Sequence, residues 1–599
     1  MSEEIIDNTG ASKNSGSKKN IETRNSSTIF RIAVSVVLVL LLTGCSYLLC
    51  SGFVFSSNDD AMLRNIANGT YTGTPEAHLV YISYVGGLIF KGLYSLIPAV
   101  PWYDLIMIGL HCLSWVCIIV KAGSLFTKKR HQTPVMILAC LFLIFLDIRF
   151  FAMHQYTILA GVICGAAIFL LASGERDKAP GRSESFTIGF LMTAAFILRR
   201  QVFLMALPFG LMLVLRFVIS NYKSNIKEVR RMLILAGSIL ALAGAVFLTD
   251  RLAYSSPEWK EFNAYNTYRT DVYDFYGVPD YGENADRYNE IGIDEKEYMC
   301  LYLYDITLDE TMNGGKFADF AALSKDAWNS NASYRLKHSV LDFFKACWDG
   351  LGEPAFISGL IILIALAVIA VRTKRVKEII FPAAAVLYSG VVAWFFIYRS
   401  RFPERVSYGL LFELVMFLAA FGISAVKDIF ARGKDISGRK QLIAVTVLSA
   451  AVSLVLIVAI TVSTGRMNSK IMDCKLNISR WEHINAYVTA HSENMYFIDT
   501  HTAATGTERM NNVSLEADNI VRLGTWTAGG PLYEKRLKNQ GITNVADAIL
   551  SDNSYVILPG DYSADWLAEY FGDGYKAVET DRIVSRDGTE YRVVQVCGE

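Results

Sequence analysis

Polar and apolar stretches alternate along this chain at intervals far longer than a strand or a surface helix needs. Apolar runs lie at 32–54, 103–120, 134–150, 156–171, 186–198, 202–219, 232–248, 356–371, 379–397, 406–423 and 442–462. Each is read as a crossing helix, although several fall short of the roughly 20 residues a full crossing needs. A further run, 79–97, has a different pattern. Ser83, Gly87, Lys91 and Ser95 recur at every fourth position and give one polar stripe on an otherwise apolar helix. That pattern predicts a helix lying in the membrane interface.

Lysine and arginine then set the topology, because cytoplasmic loops carry their excess. Clusters occur at Lys13, Lys18, Lys19 and Arg24; at Lys128, Lys129 and Arg130; at Arg176, Lys178 and Arg182; at Lys223, Lys227, Arg230 and Arg231; at Arg372, Lys374, Arg375 and Lys377; and at Lys427, Arg432, Lys434, Arg439 and Lys440. All fall on one side only if 79–97 does not cross. The expected fold is a polytopic α-helical membrane protein of about 11 transmembrane helices plus an interfacial helix, with the N-terminus cytoplasmic and a C-terminal extracytoplasmic α/β domain.

The units expected are a disordered cytoplasmic tail at 1–28, a transmembrane domain at 29–463 and an extracytoplasmic domain at 465–599. Within the second, 56–102 forms a first external loop and 250–353 a large one. The latter far exceeds the roughly 12 to 15 residues of a plain connection, so it is expected to be folded or functional. It is rich in tyrosine, at 265, 268, 273, 276, 281 and 288, rings suited to packing or to sugar faces. In the C-terminal unit, 496–499 and 555–558 read as strands and 531–539 and 564–571 as helices. Asp587 and Gly588 turn a hairpin between 577–584 and 590–596. With no glycine-rich phosphate loop and no nucleophile elbow, this unit reads as a docking or acceptor-recognition module.

Composition agrees with the pattern. A hydrophobic share of 52% with only 19% charged residues and a mean hydropathy of +0.31 exclude an ordinary soluble protein. Net charge is zero, and no basic track points to nucleic acid. The first apolar run lacks a small-residue cleavage site and exceeds a signal segment, so it reads as a retained anchor. The cysteines lie mostly in apolar runs, as at Cys45, Cys112 and Cys164, and form neither a metal pattern nor a disulfide framework.

Candidate chemistry begins at Asp59 and Asp60, two carboxylates where the first crossing ends. Ionisable groups near lipid are costly and tend to be functional; the plainer reading is that Asn58 and Asp59 cap a helix starting at Asp60. Other polar residues gather at the same face: Glu76, His78, Asp147, Arg149, His154, Gln155, Arg199, Arg200, Gln201, Arg399, Arg401, Glu404 and Arg405. Arginines there run against the positive-inside trend. Because crossings such as 186–198 are short, Asp147, Arg149, Arg199 and Arg200 are expected in a recessed, partly dry pocket. There guanidinium binds phosphate well and a carboxylate acts as a base. The plainer alternative pairs Arg149 with Asp147 and Arg405 with Glu404, the others reaching lipid headgroups.

Asp59-Asp60 just after the first crossing, a short helix with Arg64 and Ala67, an interfacial helix ending at Pro98, many crossings and outer arginines together resemble the GT-C class of membrane glycosyltransferases. The layout is similar to that of the protein mannosyltransferase and aminoarabinose transferase branch, and covers about 32–462. This chain has Asp-Asp where that branch often has Asp-Glu, and Leu63 in place of a following Tyr. The resemblance implies an inverting hexosyl- or pentosyltransferase that uses a polyprenyl-phosphate sugar donor. Asp59 would be the catalytic base, and Asp60 its helper or, with Asp59, the ligand of a divalent cation. Arg199, Arg200, Arg399, Arg401, Arg405, Arg149 and Lys91 are candidates for the donor phosphate, and Glu76, His78 and His154 for the acceptor or sugar. The acceptor would be a cell-envelope glycan, lipid or protein at the outer face of a bacterial plasma membrane. Alternatives are a flippase or transporter of a lipid-linked saccharide, a polysaccharide polymerase or ligase, and a non-catalytic assembly protein.

Overall fold

A computed structural model describes residues 9–126, 129–432, 438–510 and 516–598. The first eight residues, and Lys128 and Lys434 of the basic clusters, lie outside them. Helix α1 (Thr9–Leu49) is followed by strand β1 (Val54–Phe55), α2 (Asn58–Asn68), α3 (Tyr84–Leu96), α4 (Trp102–Ser124), α5 (Lys129–Ala152), strand β2 (Met153–His154), α6 (Tyr156–Ala172), α7 (Arg182–Leu198), α8 (Arg200–Asn221) and α9 (Ile226–Ala253). Next come α10 (Pro257–Thr270), a π-helical turn (Asp271–Tyr276), α11 (Tyr281–Glu290), α12 (Glu295–Leu303), α13 (Gly314–Ser330), α14 (Ala332–Gly350), α15 (Pro354–Arg372), α16 (Ile380–Tyr398), α17 (Glu404–Arg432) and α18 (Gly438–Ala490).

Among the described residues, eight helices are long and apolar enough to cross a membrane: Ser27–Leu48, Trp102–Ser124, His131–Ala152, Arg200–Asn221, Ile226–Ala253, Pro354–Arg372, Val376–Tyr398 and Glu404–Ala425. Leu40, Leu204, Ile234, Ile361 and Leu387 stay exposed on them, as a lipid-facing surface requires. The other three expected crossings differ. Helices α6 and α7 have 17 residues each, about 25 Å against a hydrocarbon core of about 30 Å. The run at 442–462 lies inside α18, a single helix of 53 residues.

The short α6 is the centre of the bundle, with all but one of its residues buried. Its Gly161 lies so close to Gly409 of α17 that a Cβ would meet the Gly409 Cα at 2.7 Å. Glycine is therefore needed for this crossing. The contact sets the start of α17, with Arg405, beside the start of α6, with Tyr156.

Two boundaries depart from the sequence reading. Disorder was expected through residue 28, yet α1 is helical from Thr9, since no proline stops the first crossing from propagating backwards. The interfacial helix begins at Tyr84, capped by Ser83, because Val80 at φ 61° cannot be helical. On α3, Gly87 of the predicted polar stripe turns inward against the Ala77 carbonyl, while Leu88, Ile89 and Leu96 are exposed.

The segment after α9 is helical, and its tyrosines serve mainly as its own core: Tyr265, Tyr288 and Tyr298 pack with Phe317 and Phe320. Helix α14 leaves Leu336, Leu341, Phe344 and Trp348 exposed along one side, the amphipathic pattern that suits a membrane surface.

Helix α18 carries the chain without a break, over about 80 Å, into the C-terminal unit, so no linker separates the two at 465. That unit is a five-stranded sheet ordered β4-β3-β5-β7-β6, from β3 (Met495–Ile498), β4 (Ile520–Arg522), β5 (Ser554–Pro559), β6 (Tyr575–Val584) and β7 (Glu590–Gly598). Its helices are α19 (Thr500–Ala503), α20 (Pro531–Asn539), α21 (Val545–Ile549) and α22 (Asp565–Phe571). Strands β4, β3 and β5 are parallel, and the crevice at their carboxyl ends is where open α/β sheets commonly bind ligands. Here the chain's own segment at 304–307 fills it. The Thr500 hydroxyl donates to the Tyr304 carbonyl at 2.8 Å, the Thr307 amide donates to the Leu523 carbonyl at 3.0 Å, and a Cβ on Gly524 would meet the Tyr304 carbonyl oxygen at 1.8 Å.

Candidate active site

Helix α2 begins at Asn58 with Ser57 as its N-cap, so the two carboxylates occupy its first turn, where the helix dipole favours negative charge. They were expected to act as a pair. The fold separates them. Asp60 is buried: its Oδ1 accepts from the Tyr103 hydroxyl at 3.0 Å and the Tyr156 amide at 3.0 Å, and its Oδ2 from the Ser57 hydroxyl at 3.2 Å. Burial first, and the neighbouring Asp59 charge second, push the Asp60 carboxyl up to about 8. Burial thus favours the protonated acid near neutral pH, and the carboxyl ties α2 to α4 and α6.

Asp59 faces the other way. Its Oδ2 lies 3.4 Å from Arg405 Nη1, with the carboxylate 19% exposed. Tyr81 and Tyr156 lie near parallel, 6.4 Å apart, and Arg199 sits 5.0 and 5.5 Å from their ring centroids. Trp526 of the C-terminal unit meets Tyr81 at 4.8 Å. From the segment after α9 come Arg269, buried, and Tyr304, whose hydroxyl accepts from Arg269 Nη1. Burial first raises the phenols of Tyr81 and Tyr304; the Arg269 charge opposes that rise and the Asp59 charge adds to it. Arg269 and Asp59 thus act on the same two rings. Arg401 is held 2.9 Å from Asp274 of the π-helical turn, whose charge in turn acts on Arg269.

Neither a family model nor a curated protein matches the sequence. Among solved structures the chain is similar to ArnT from Cupriavidus metallidurans bound to undecaprenyl phosphate, with 10% identity over 94% of this chain and 97% of that one, at a TM-score of 0.38.

Of the residues singled out in the sequence, Arg405, Arg199 and, through Asp274, Arg401 are brought towards Asp59. The rest are engaged elsewhere. Arg200 is exposed over Phe247 at 5.3 Å, because it opens α8 one position after Arg199 and so points away from it. Arg399 is stacked over Phe275 at 4.5 Å. Arg149 pairs with Glu404, not with Asp147. Asp147 is buried under the Tyr408 hydroxyl at 2.7 Å, the Trp115 indole N–H at 2.8 Å and His111 Nε2 at 2.7 Å. Arg405 pairs with Asp59 and not Glu404.

Lys91 is exposed on α3, and its charge acts on Glu76. Burial opposes ionisation of Glu76, but the His78 hydrogen bond and the Ala77 amide outweigh it and hold the carboxyl at about 2. His78 itself is stacked on Trp259 at 4.7 Å, bracing the first loop against α10. His154 is buried among Phe53, Phe151 and His111, and burial pushes its imidazole well below the ordinary range. It is a core residue, out of reach of an acceptor.

Sequence reasoning missed Arg269, Tyr304, Tyr81, Tyr103 and Tyr156. The tyrosine-rich composition of 250–353 was the one available signal for Tyr304. Its left-handed backbone, φ 66°, is the C-cap of α12, closed by the Asp305 amide donating to the Cys300 carbonyl at 2.8 Å.

Proposed function

We propose that the chain is a membrane glycosyltransferase that moves a sugar from a polyprenyl-phosphate-linked donor to a cell-envelope acceptor at the outer face of the membrane. The observation that carries this reading is the asymmetry of the acid pair: a proton-holding Asp60 locks the helix, and a partly exposed Asp59 is aimed at Arg405 beside Arg199. In the resting arrangement Arg405 neutralises Asp59 at the long distance of 3.4 Å. A donor phosphate would compete for that guanidinium and free Asp59 to accept the proton of an acceptor hydroxyl or amine.

The acceptor atom then bonds to the anomeric carbon as the bond from that carbon to the phosphate oxygen breaks, with inversion. Polyprenyl phosphate leaves with its new negative charge stabilised by Arg405 and Arg199. Both Asp60 oxygens already accept hydrogen bonds from Ser57, Tyr103 and the Tyr156 amide, so a divalent cation at this place would be held through Asp59. No step is routed through a metal.

The test compares membranes of cells lacking the gene, complemented with wild type or Asp59→Asn at matched expression, by mass spectrometry of lipid-linked sugars and surface polymer. Accumulation of one polyprenyl-phosphate sugar with loss of the matching decoration in both the null and Asp59→Asn strains supports the reading. Wild-type surface chemistry in Asp59→Asn rejects it.

One observation favours a second reading, transport of a lipid-linked saccharide. Glu413 lies about 14 Å along α17 from Glu404, is fully buried, and has no partner for either oxygen among the described residues. An intramembrane carboxyl of this kind is at home in proton-coupled carriers. Under that reading Glu413→Gln abolishes the surface product while Asp59→Asn restores it.

A further inference from the structure

A second site stands apart from Asp59, where α13 passes into α14. A cleft of about 500 Å³ opens there, lined by Tyr276, Trp328, Asn331, Tyr334 and Arg335, a size within the range of small-molecule sites. The Arg335 guanidinium carbon lies over the Trp328 indole, 3.5 Å from the ring centroid. Its Nη1 donates to the Trp328 carbonyl. Arg335 Nε and Nη2 are buried and have no hydrogen-bond partner among the described residues, and neither has Trp328 Nε1.

The Nε–H and the adjacent Nη2–H of a guanidinium are parallel and form the fork that holds the two oxygens of a carboxylate or phosphate. Here the guanidinium is held over the Trp328 ring, one nitrogen is already committed elsewhere, and the two that match an oxyanion have no partner among the described residues. Leaving buried donors unpaired costs stability, so a built fork without a partner points to a ligand that supplies one. Around it the chemistry is that of a sugar site: Tyr276 and Tyr334 offer ring faces to C–H groups, and Trp328 Nε1 and Asn331 offer hydrogen bonds to hydroxyls.

We infer that this cleft binds a saccharide bearing an oxyanion, a carboxylate or a phosphate, with the anion on the Arg335 fork and the sugar ring against Tyr276 and Tyr334. Because the fork carries almost no accessible surface, the anion reaches it as a lining ring moves, and Tyr334, 64% exposed, has room to do so. The π-helical turn joins the cleft to the Asp59 site. Its Asp274 pairs with Arg401, and its Tyr276 lines the cleft. The exposed apolar side of α14 places the cleft beside the membrane surface. Its use as the acceptor subsite rests on the transferase reading; the binding does not.

The full-length protein in lipid nanodiscs is tested by saturation-transfer NMR with sodium glucuronate, methyl glucoside and inorganic phosphate as probes. Glucuronate is expected to bind, methyl glucoside more weakly, and Arg335→Gln to weaken glucuronate about ten-fold or more. Arg335→Lys, which keeps the charge and loses the fork, is expected to behave like Arg335→Gln. Trp328→Phe, which keeps the stacking ring, provides a milder variant and should weaken binding less. Asp59→Asn should leave glucuronate binding unchanged even where turnover is lost. Equal glucuronate binding by wild type and both Arg335 variants, or none by wild type, overturns the site. Phosphate displacing glucuronate at equal concentration overturns its saccharide character. Glucuronate binding without any Asp59-dependent turnover sinks the transferase reading and leaves this site standing.

Discussion

Arg64 and Glu508, 444 positions apart in the chain, form a fully buried ion pair. Arg64 follows Asp60 by one helical turn, and it also reaches Asp104 at 3.5 Å and the Arg509 carbonyl at 3.0 Å. The C-terminal unit is thereby fastened to the helix that carries the acid pair. Asn65 Nδ2 adds a second bond to Glu508 at 3.2 Å. Removing Glu508 leaves the buried Arg64 with only its longer Asp104 contact as an ion pair and Asn65 Nδ2 without its acceptor, at a cost of about 3 kcal/mol. Glu508→Ala should lower the thermal midpoint of the detergent-solubilised protein clearly, and exposed Glu569→Ala should not. Equal midpoints would show that the two parts are not mechanically joined through this pair.

The two adjacent aspartates should respond differently to the same substitution. An amide at position 60 keeps an acceptor for Tyr103 and the Tyr156 amide and mimics the protonated acid, so Asp60→Asn should retain activity within about ten-fold. Asp59→Asn removes the base and should lose about 10² to 10⁴ in turnover. Single-turnover transfer from a polyprenyl-phosphate sugar measures both, and equal losses would contradict the division of labour.

Asp60 also sets a pH dependence of stability. Its folded pKa of about 8 lies above an unfolded value of about 3.9, so between the two the folded state holds a proton that the unfolded state has lost. Stability should therefore fall as pH rises from about 4 to about 8, by at most about 1.4 kcal/mol per unit, and level off above. Wild type minus Asp60→Asn, followed by thermal unfolding across that range, isolates the slope. A difference independent of pH would mean that Asp60 is ionised in the fold.

Arg405 and Arg200 offer the matching contrast among the cations. Loss of a charge that stabilises the leaving phosphate should cost about 10² to 10³ in turnover, and this is expected of Arg405→Gln. Arg200→Gln, at an exposed position over Phe247, should transfer sugar at near the wild-type rate. Equal defects would place the phosphate elsewhere.

Much of this architecture is readable from one dimension because its causes are local. Apolar length fixes a helix's ability to span lipid, and the strands at 495–498 and 554–559, the helix at 531–539 and the hairpin at Asp587-Gly588 all follow from short-range pattern and turn chemistry. Three features needed the third dimension. Which of Asp59 and Asp60 is buried depends on Tyr103 and the Tyr156 amide, contributed by helices α4 and α6. Which arginines face Asp59 depends on helix rotation and on the Gly161–Gly409 crossing; adjacent Arg199 and Arg200 look identical in sequence and point apart in space. The contribution of Arg269 and Tyr304 depends on a unit about 200 residues further along, whose Thr500, 196 positions on, and Gly524 meet the Tyr304 backbone. Sequence alone determined the membrane-spanning character, the candidate carboxylates and four of the five strands of the C-terminal sheet, β4 being the exception, since hydrophobic length and turn propensity act between near neighbours. Only the tertiary structure decided which charges meet, because burial and pairing are set by residues that the chain brings together from far apart.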